Sequence, residues 1–245
     1  MYLQKTKKAK NYIISTILVI ALIMLFGCTP QQSEASSENP EPIETIVEVS
    51  PANSLKLLEE GNARFSELKI GDKDISVARR ENLSKDGQHP FAVIVSCSDS
   101  RVPPEVIFDQ ALGDLFVVRI AGNVIDSVAL GSIEYAVEHL ETPLVVVMGH
   151  EKCGAVKATV DGGEAPGSIG SIVEKIQPSV EKVKASSTTG NDLYEEATDE
   201  NILQSLAEIE KSPIIEHFIE NGTLKIIGAK YHLESGKVEF FSDLH

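Results

Sequence analysis

The chain has no tryptophan, only three cysteines in 245 residues, and 22 lysines and arginines against 37 aspartates and glutamates. Each scarcity closes off a class of protein. Three cysteines are too few for the dense disulfide framework of a small secreted scaffold. A net charge of −15 repels a phosphate backbone, which argues against nucleic acid as a partner. No apolar run reaches the roughly eighteen residues of a spanning helix, so the chain does not read as a multi-span membrane protein. What is present is 42% apolar and 24% charged residues, the mix of a soluble globular domain, in a length sufficient for one buried core.

The first residues have a different character. Lys5, Lys7, Lys8 and Lys10 precede an apolar run from Tyr12 to Phe26, which Gly27 and Cys28 close. A basic flank, a short apolar stretch and a small residue before a break describe a secretory signal. Leu25-Phe26-Gly27-Cys28 resembles a bacterial lipobox, which implies that Cys28 is lipidated. The chain is then exported and anchored by lipid to the cell membrane or envelope, with its folded part outside the cytoplasm. An uncleaved anchor would leave the same arrangement. Residues 29–53 hold four prolines, five glutamates and no lysine or arginine, the composition of a solvated, flexible tether. The domain is therefore expected over residues 54–245.

Within the domain, strand and helix patterns alternate. Ser54 is placed to cap a helix through about Leu68, with Leu55, Leu58, Ala63 and Phe65 on its apolar face, and a second helix is predicted from Ile75 to Ser84. Apolar runs rich in β-branched residues at Phe91–Ser96, Leu115–Val118, Leu144–Met148 and Leu224–Gly228 read as buried strands, and Gly236–Phe241 as an edge strand. Helical spacing fills Val128–Leu140, Ala155–Val160, Ser168–Ala185 and Asn201–Glu220, while Ser186–Glu200 reads as a polar loop. The alternation predicts an α/β fold with a mostly parallel central sheet flanked by helices. In such sheets ligands gather beyond the carboxyl ends of the strands.

Two cysteines sit just past such ends. Cys97-Ser98-Asp99-Ser100-Arg101 follows the first strand, and Gly149-His150-Glu151-Lys152-Cys153-Gly154 follows the third. Two thiolates and an imidazole, with a fourth position open, form a zinc set of the catalytic type. Spacing alone also leaves open a Cys97–Cys153 disulfide or two inert buried thiols. The disulfide explains neither His150 nor the Asp99/Arg101 pair. Asp99 and Arg101, two residues apart, project to the same side of an extended loop, where the guanidinium keeps the carboxylate ionised and acceptor-only. Beside a metal-activated water such a group selects the proton-bearing orientation. As a surface ion pair it would contribute only about 0–1 kcal/mol.

Together these motifs resemble the β-class carbonic anhydrases. The likeness joins CSDSR and GHEKCGA to Val102–Glu105, Gly113–Arg119, Ala121–Asn123, Gly131–Ala136 and Gly228–Val238, and covers roughly Ser54 to Phe241. It implies one zinc ion per subunit on Cys97, His150 and Cys153, a catalytic dyad of Asp99 and Arg101, and a substrate pocket of Gln88, Phe116 and Tyr135. It also implies a homodimer or higher even oligomer with the active site at the dimer interface, where Gln88 reaches the zinc of the other chain. In a closed form Asp99 would leave Arg101 and become the fourth metal ligand. Members with a regulatory bicarbonate site build it on a tryptophan before the first zinc cysteine and on an arginine of the next strand. Arg119 is present but Ile94 holds the tryptophan position, so no bicarbonate-controlled switch is expected. Ile120 stands where the family often has asparagine.

The implied activity is the zinc-dependent, reversible hydration of carbon dioxide to bicarbonate and a proton, a lyase reaction with zinc-bound hydroxide as nucleophile. Two alternatives use the same residues: a zinc hydrolase of carbon disulfide or carbonyl sulfide, and a zinc-binding surface lipoprotein without turnover. A damaged dyad or blocked pocket would mark the last, and the sequence has neither. His89, His139, His217, His232 and His245 read as surface or core histidines, and none is placed as a proton shuttle.

Overall fold

The structure, a computed structural model, describes residues 49–186 and 188–241. The signal, Cys28 and residues 29–48 of the tether lie outside the described residues, while residues 51–53, expected in the tether, belong to the first helix. Among the described residues no helix is long and apolar enough to cross a membrane.

Five strands form one sheet in the order β2-β1-β3-β4-β5: β1 Ala92–Ser96, β2 Leu115–Arg119, β3 Leu144–His150, β4 Lys225–Tyr231 and β5 Val238–Phe240. The β1–β2, β1–β3 and β3–β4 pairs are parallel and β4–β5 is antiparallel, so the expected mostly parallel sheet and its edge strand are both present. Every residue of β1 and β3 is buried. Alternate side chains go to opposite faces. Val93, Val95, Val145 and Val147 pack with Ile133, Ile202, Leu206, Ile209 and Ile215 on one face. Ile94, Val146 and Met148 pack with Leu58, Ile107 and Phe108 on the other. Burial on both faces is what turns these strands into unbroken apolar runs.

The helices are α1 Pro51–Ser66, α2 Val77–Asp86, α3 Pro104–Ile107, α4 Ser127–His139, α5 Gly154–Asp161, α6 Ile169–Ala185, α7 Asn191–Glu210 and α8 Pro213–Glu220. Besides shifts of about two residues at other ends, such as α2 (expected over Ile75–Ser84), three departures from expectation have a clear local cause. The cap of α1 is Ser50, whose hydroxyl accepts the Asn53 N–H; Ser54 lies buried inside the first turn. The 201–220 stretch is two helices, because Ser212 ends one and caps the next, accepting the Ile215 N–H ahead of which Pro213 sets the first turn. The supposed loop 186–200 is helical from Asn191 onward. Residues 191–196 are exposed or half-buried, which gives the start of α7 a loop-like polar composition, and the buried polar contacts of the helix come further along. Asn201 donates to the Gly122 carbonyl at 2.7 Å and Ser205 to the Asn123 carbonyl at 2.9 Å, so α7 uses buried polar residues where a helix packed on apolar neighbours would use leucine.

Asp109, following α3, ties the end of α3 to α1 and to the segment after α1. Its side chain is wholly buried, with Arg64 Nε at 2.6 Å, Lys73 Nζ at 2.5 Å and the Gly71 N–H at 2.9 Å. Burial pushes its pKa upward, but Lys73, Arg64 and the Gly71 N–H outweigh that and hold it at about 2. A carboxyl depressed below its unfolded value contributes stability above the unfolded pKa of about 3.9 and loses it as pH falls toward the folded one. Asp109→Asn is therefore expected to lower unfolding free energy at pH 7 by on the order of 2 kcal/mol. It should also flatten the loss of stability between about pH 4 and 2. Urea titrations across that range check this, and an unaltered acid limb would contradict it.

Candidate metal centre

β1 ends at Ser96 and delivers Cys97 to the carboxyl end of the sheet. β3 runs two residues beyond its expected end, so His150 is its last residue, and Cys153 is the cap of α5. The parallel register that sets Ser96 beside Met148 brings the two loops together. The Cys97 and Cys153 sulfurs and a His150 ring nitrogen all lie within 4.8 Å of one another, and all three residues are buried. Both cysteines are free, which removes the disulfide reading.

His150 Nδ1 lies 2.9 Å from the Glu151 carbonyl. An N–H there donates to that oxygen and leaves the Nε2 lone pair aimed at the sulfurs. Nε2 is buried and has no hydrogen-bond partner among the described residues. An orphaned buried nitrogen is costly unless something else engages it. The thiols make the same demand. Cys97 is held well below its ordinary pKa, first by the Cys153 thiol and further by His150 and the Gly122 N–H, which lies 3.3 Å from its sulfur. Cys153 is pushed well up, because it donates to Cys97 and a second buried anion beside the first is unfavourable. Two sulfurs that cannot both ionise without a cation, with an unpartnered imidazole nitrogen beside them, suit zinc and leave a fourth position free.

The dyad stands against this cluster. Arg101 donates from Nε to Asp99 Oδ1 at 2.9 Å and from a terminal nitrogen to Oδ2 at 2.7 Å, and the Arg101 backbone N–H also reaches Oδ1. These contacts, Arg101's side chain foremost, hold the Asp99 carboxyl at about 2. Oδ2 is 3.9 Å from His150 Nε2. Ligation by Asp99, the closed form, would require this bidentate pair to break. Arg101 also reaches the Lys152 carbonyl at 3.4 Å, linking the two loops. Arg119 donates to the Cys97 carbonyl at 3.1 Å and the Asp99 carbonyl at 2.6 Å, so here it braces the first loop.

The other expected site residues are not drawn into this cluster. Phe116, paired with Val93 early in the ladder, lies with its ring centroid 6.4 Å from that of Tyr135 on α4, which is half exposed. Gln88 is exposed on the connector before β1, toward the opposite end of the sheet from the metal loops. Ile94 is fully buried in the core. An apolar groove of about 400 Å³ between α7, α8 and β4 shares no residue with the centre.

Three contributors escaped the sequence reading. Gly122 has φ +69, which favours glycine, and presents its N–H to Cys97, where a Cβ would crowd Ile176 Cδ1 at 2.7 Å and Ala155 Cβ at 3.1 Å. Glu151 and His232 are joined at 2.7 Å behind His150, which takes His232 out of the class of ordinary surface histidines. Glu151 had one legible signal, its place between two ligands. His232 had none, because its role depends on β4 lying beside β3.

A family model described as carbonic anhydrase matches residues 92–238. The carbonic anhydrase of Mycolicibacterium smegmatis is 42% identical over 200 residues, covering 80% of this chain and 95% of its own length. Carbonic anhydrase 2 of Mycobacterium tuberculosis is 43% identical over 192 residues, covering 77% and 91%. Among solved structures, the β-carbonic anhydrase CcaA is 32% identical with a TM-score of 0.62, covering 77% of this chain and 95% of its own.

Proposed function

The chain is a β-class member of the carbonic anhydrase family, and from that premise we propose that it interconverts carbon dioxide and bicarbonate using one zinc ion held by Cys97, His150 and Cys153. The observation that carries the metal is the convergence, within 4.8 Å, of two thiol sulfurs and an unpartnered imidazole nitrogen. Zinc held there supplies Lewis acidity that brings the ionisation of water toward neutral pH.

The rest of the chemistry belongs to side chains. Arg101 grips both Asp99 oxygens, so the carboxylate neither turns away nor takes up a proton near neutrality. Asp99 Oδ2 can then accept a hydrogen bond but not donate one. It orients an oxygen nucleophile that still carries a hydrogen, leaving a lone pair free for the carbon of carbon dioxide, and it repels an anion with no hydrogen to give. Phe116 and Tyr135 form an apolar wall suited to an uncharged linear molecule.

Strand geometry supports a two-chain site. Phe116 precedes Arg119, at the end of β2, by three residues, roughly 10 Å along the strand. Gln88 lies before β1 altogether. Placed so, Gln88, Phe116 and Tyr135 would serve the centre of a partner subunit in a homodimer or larger even assembly. The signal-like residues 1–28 support export, lipidation at Cys28 and a membrane tether.

One preparation of the full chain tests the reading. It should fractionate with membranes and, in detergent, sediment as a dimer or larger. It should carry one zinc per chain and hydrate carbon dioxide far above the uncatalysed rate. Stripping with a chelator should abolish that rate and zinc should restore it. A fully active metal-free protein would remove the proposal, and faster turnover of carbon disulfide or carbonyl sulfide than of carbon dioxide would redirect it.

A further inference from the structure

We propose that Glu151 is a positioning residue for the metal centre: clamped by His232 and the Leu233 N–H, it fixes the carbonyl that orients the His150 imidazole. The inference rests on the reading that Cys97, His150 and Cys153 hold zinc.

His150 depends on the Glu151 carbonyl, which lies 2.9 Å from Nδ1 and decides where Nε2 points. That carbonyl belongs to a peptide that could swing. The next residue, Lys152, has φ +53, in the left-handed region that a long side chain rarely adopts. Such a conformation persists where its surroundings over-determine it.

They do so here from one side above all. Three consecutive residues at the end of β4 hold Glu151. The Tyr231 carbonyl accepts the Glu151 N–H at 3.1 Å, His232 Nδ1 meets Oε1 at 2.7 Å, and the Leu233 N–H reaches Oε2 at 3.0 Å. Both carboxylate oxygens and the backbone are thus pinned to the neighbouring strand. His232 is itself flanked on its far nitrogen by Glu239 of β5 at 3.3 Å. The contacts on the other side of the turn are longer. Lys152 N–H to Glu195 Oε1 and Arg101 to the Lys152 carbonyl are both 3.4 Å. The clamp from β4 is therefore the main restraint on the peptide behind His150.

An ion pair with no such task would be worth little, since Glu151 and His232 are each about one-quarter to one-third exposed. Loss of a group that orients a metal-binding histidine costs roughly 10–100-fold in metal affinity. Zinc retention against a competing chelator should accordingly fall about 10–100-fold in Glu151→Ala. It should fall by a smaller factor in His232→Ala, which leaves the Leu233 contact. Glu151→Gln, which keeps an acceptor oxygen and the side-chain shape, should stay close to wild type. The visible spectrum of the cobalt-substituted protein should shift in Glu151→Ala and return in Glu151→Gln, while the metal-free forms melt alike. Wild-type zinc retention and cobalt spectrum in both Glu151→Ala and His232→Ala would overturn the inference. Failure of the wild type to take up zinc would instead sink the metal reading itself, and this inference with it.

Discussion

Replacing His150 by alanine is expected to reduce bound zinc from one per chain to almost none and carbon dioxide hydration to the uncatalysed rate. The reason lies in the electrostatics of the pair left behind. Cys97 and Cys153 sit buried against each other, and in the protein alone Cys153 is driven to keep its proton. A dication overcomes that only if its other contacts compensate. His150 is the one neutral donor in the set, and its Nε2 has no other partner among the described residues. The effect should exceed the roughly 10–100-fold that loss of an outer-shell partner costs. Elemental analysis and chelator competition measure it directly. An H150A protein with full zinc occupancy and wild-type turnover would mean that the three residues are not the metal ligands.

Asp99→Asn should separate chemistry from metal binding. The change keeps the size of the side chain but replaces one acceptor oxygen with an N–H donor and removes the charge that Arg101 holds. Turnover is expected to fall roughly 100-fold or more, the range for losing a group that handles a proton at the reacting atom. Zinc content should not change, because Asp99 is not among the converging ligand residues. Stopped-flow hydration assays normalised to bound zinc decide the matter. Turnover within about twofold of wild type would leave the dyad without a catalytic role, and loss of zinc along with activity would make Asp99 a part of the metal cage.

The two results are expected to differ because His150 and Asp99, which come from different loops, have different tasks at one centre: His150 offers a ligand nitrogen and Asp99 an acceptor oxygen beside it. Both metal loops were legible as loops. β1 and β3 are buried on both faces, so their apolar runs end close to the end of each strand: Cys97 is the first residue past β1, and His150 is the last residue of β3, two past the apolar run. The Asp99/Arg101 pair was legible as well, although it sits in a tight turn and not the expected extended loop: the Asp99 carbonyl accepts the Val102 N–H at 3.0 Å and its Oδ1 the Arg101 N–H at 2.9 Å, contacts so local that they hardly depend on the rest of the chain. The first half of α7 was not legible as a helix. Residues 191–196 are exposed or half-buried, and a solvated polar helix face has the composition of a loop. The buried Asn201 and Ser205, which hydrogen-bond to the 121–123 turn, lie in the half whose spacing was read as helical.

The sequence by itself determined the strand–helix alternation, the kinds of atoms able to bind a metal, and the carboxylate–guanidinium pair beside them. These follow from side-chain chemistry and from periodicity over a few residues. Only the tertiary structure decided that Cys97 and His150 share one cluster, that Gly122 offers its N–H to a sulfur, that Asp109 fastens α1, and that His232 stands behind Glu151. Each of these joins segments separated by at least one whole helix or strand, and strand pairing, β1 with β2 and β3 and β3 with β4, brings all but the Asp109 contact together. Local preferences along the chain hold no record of which strands will lie side by side.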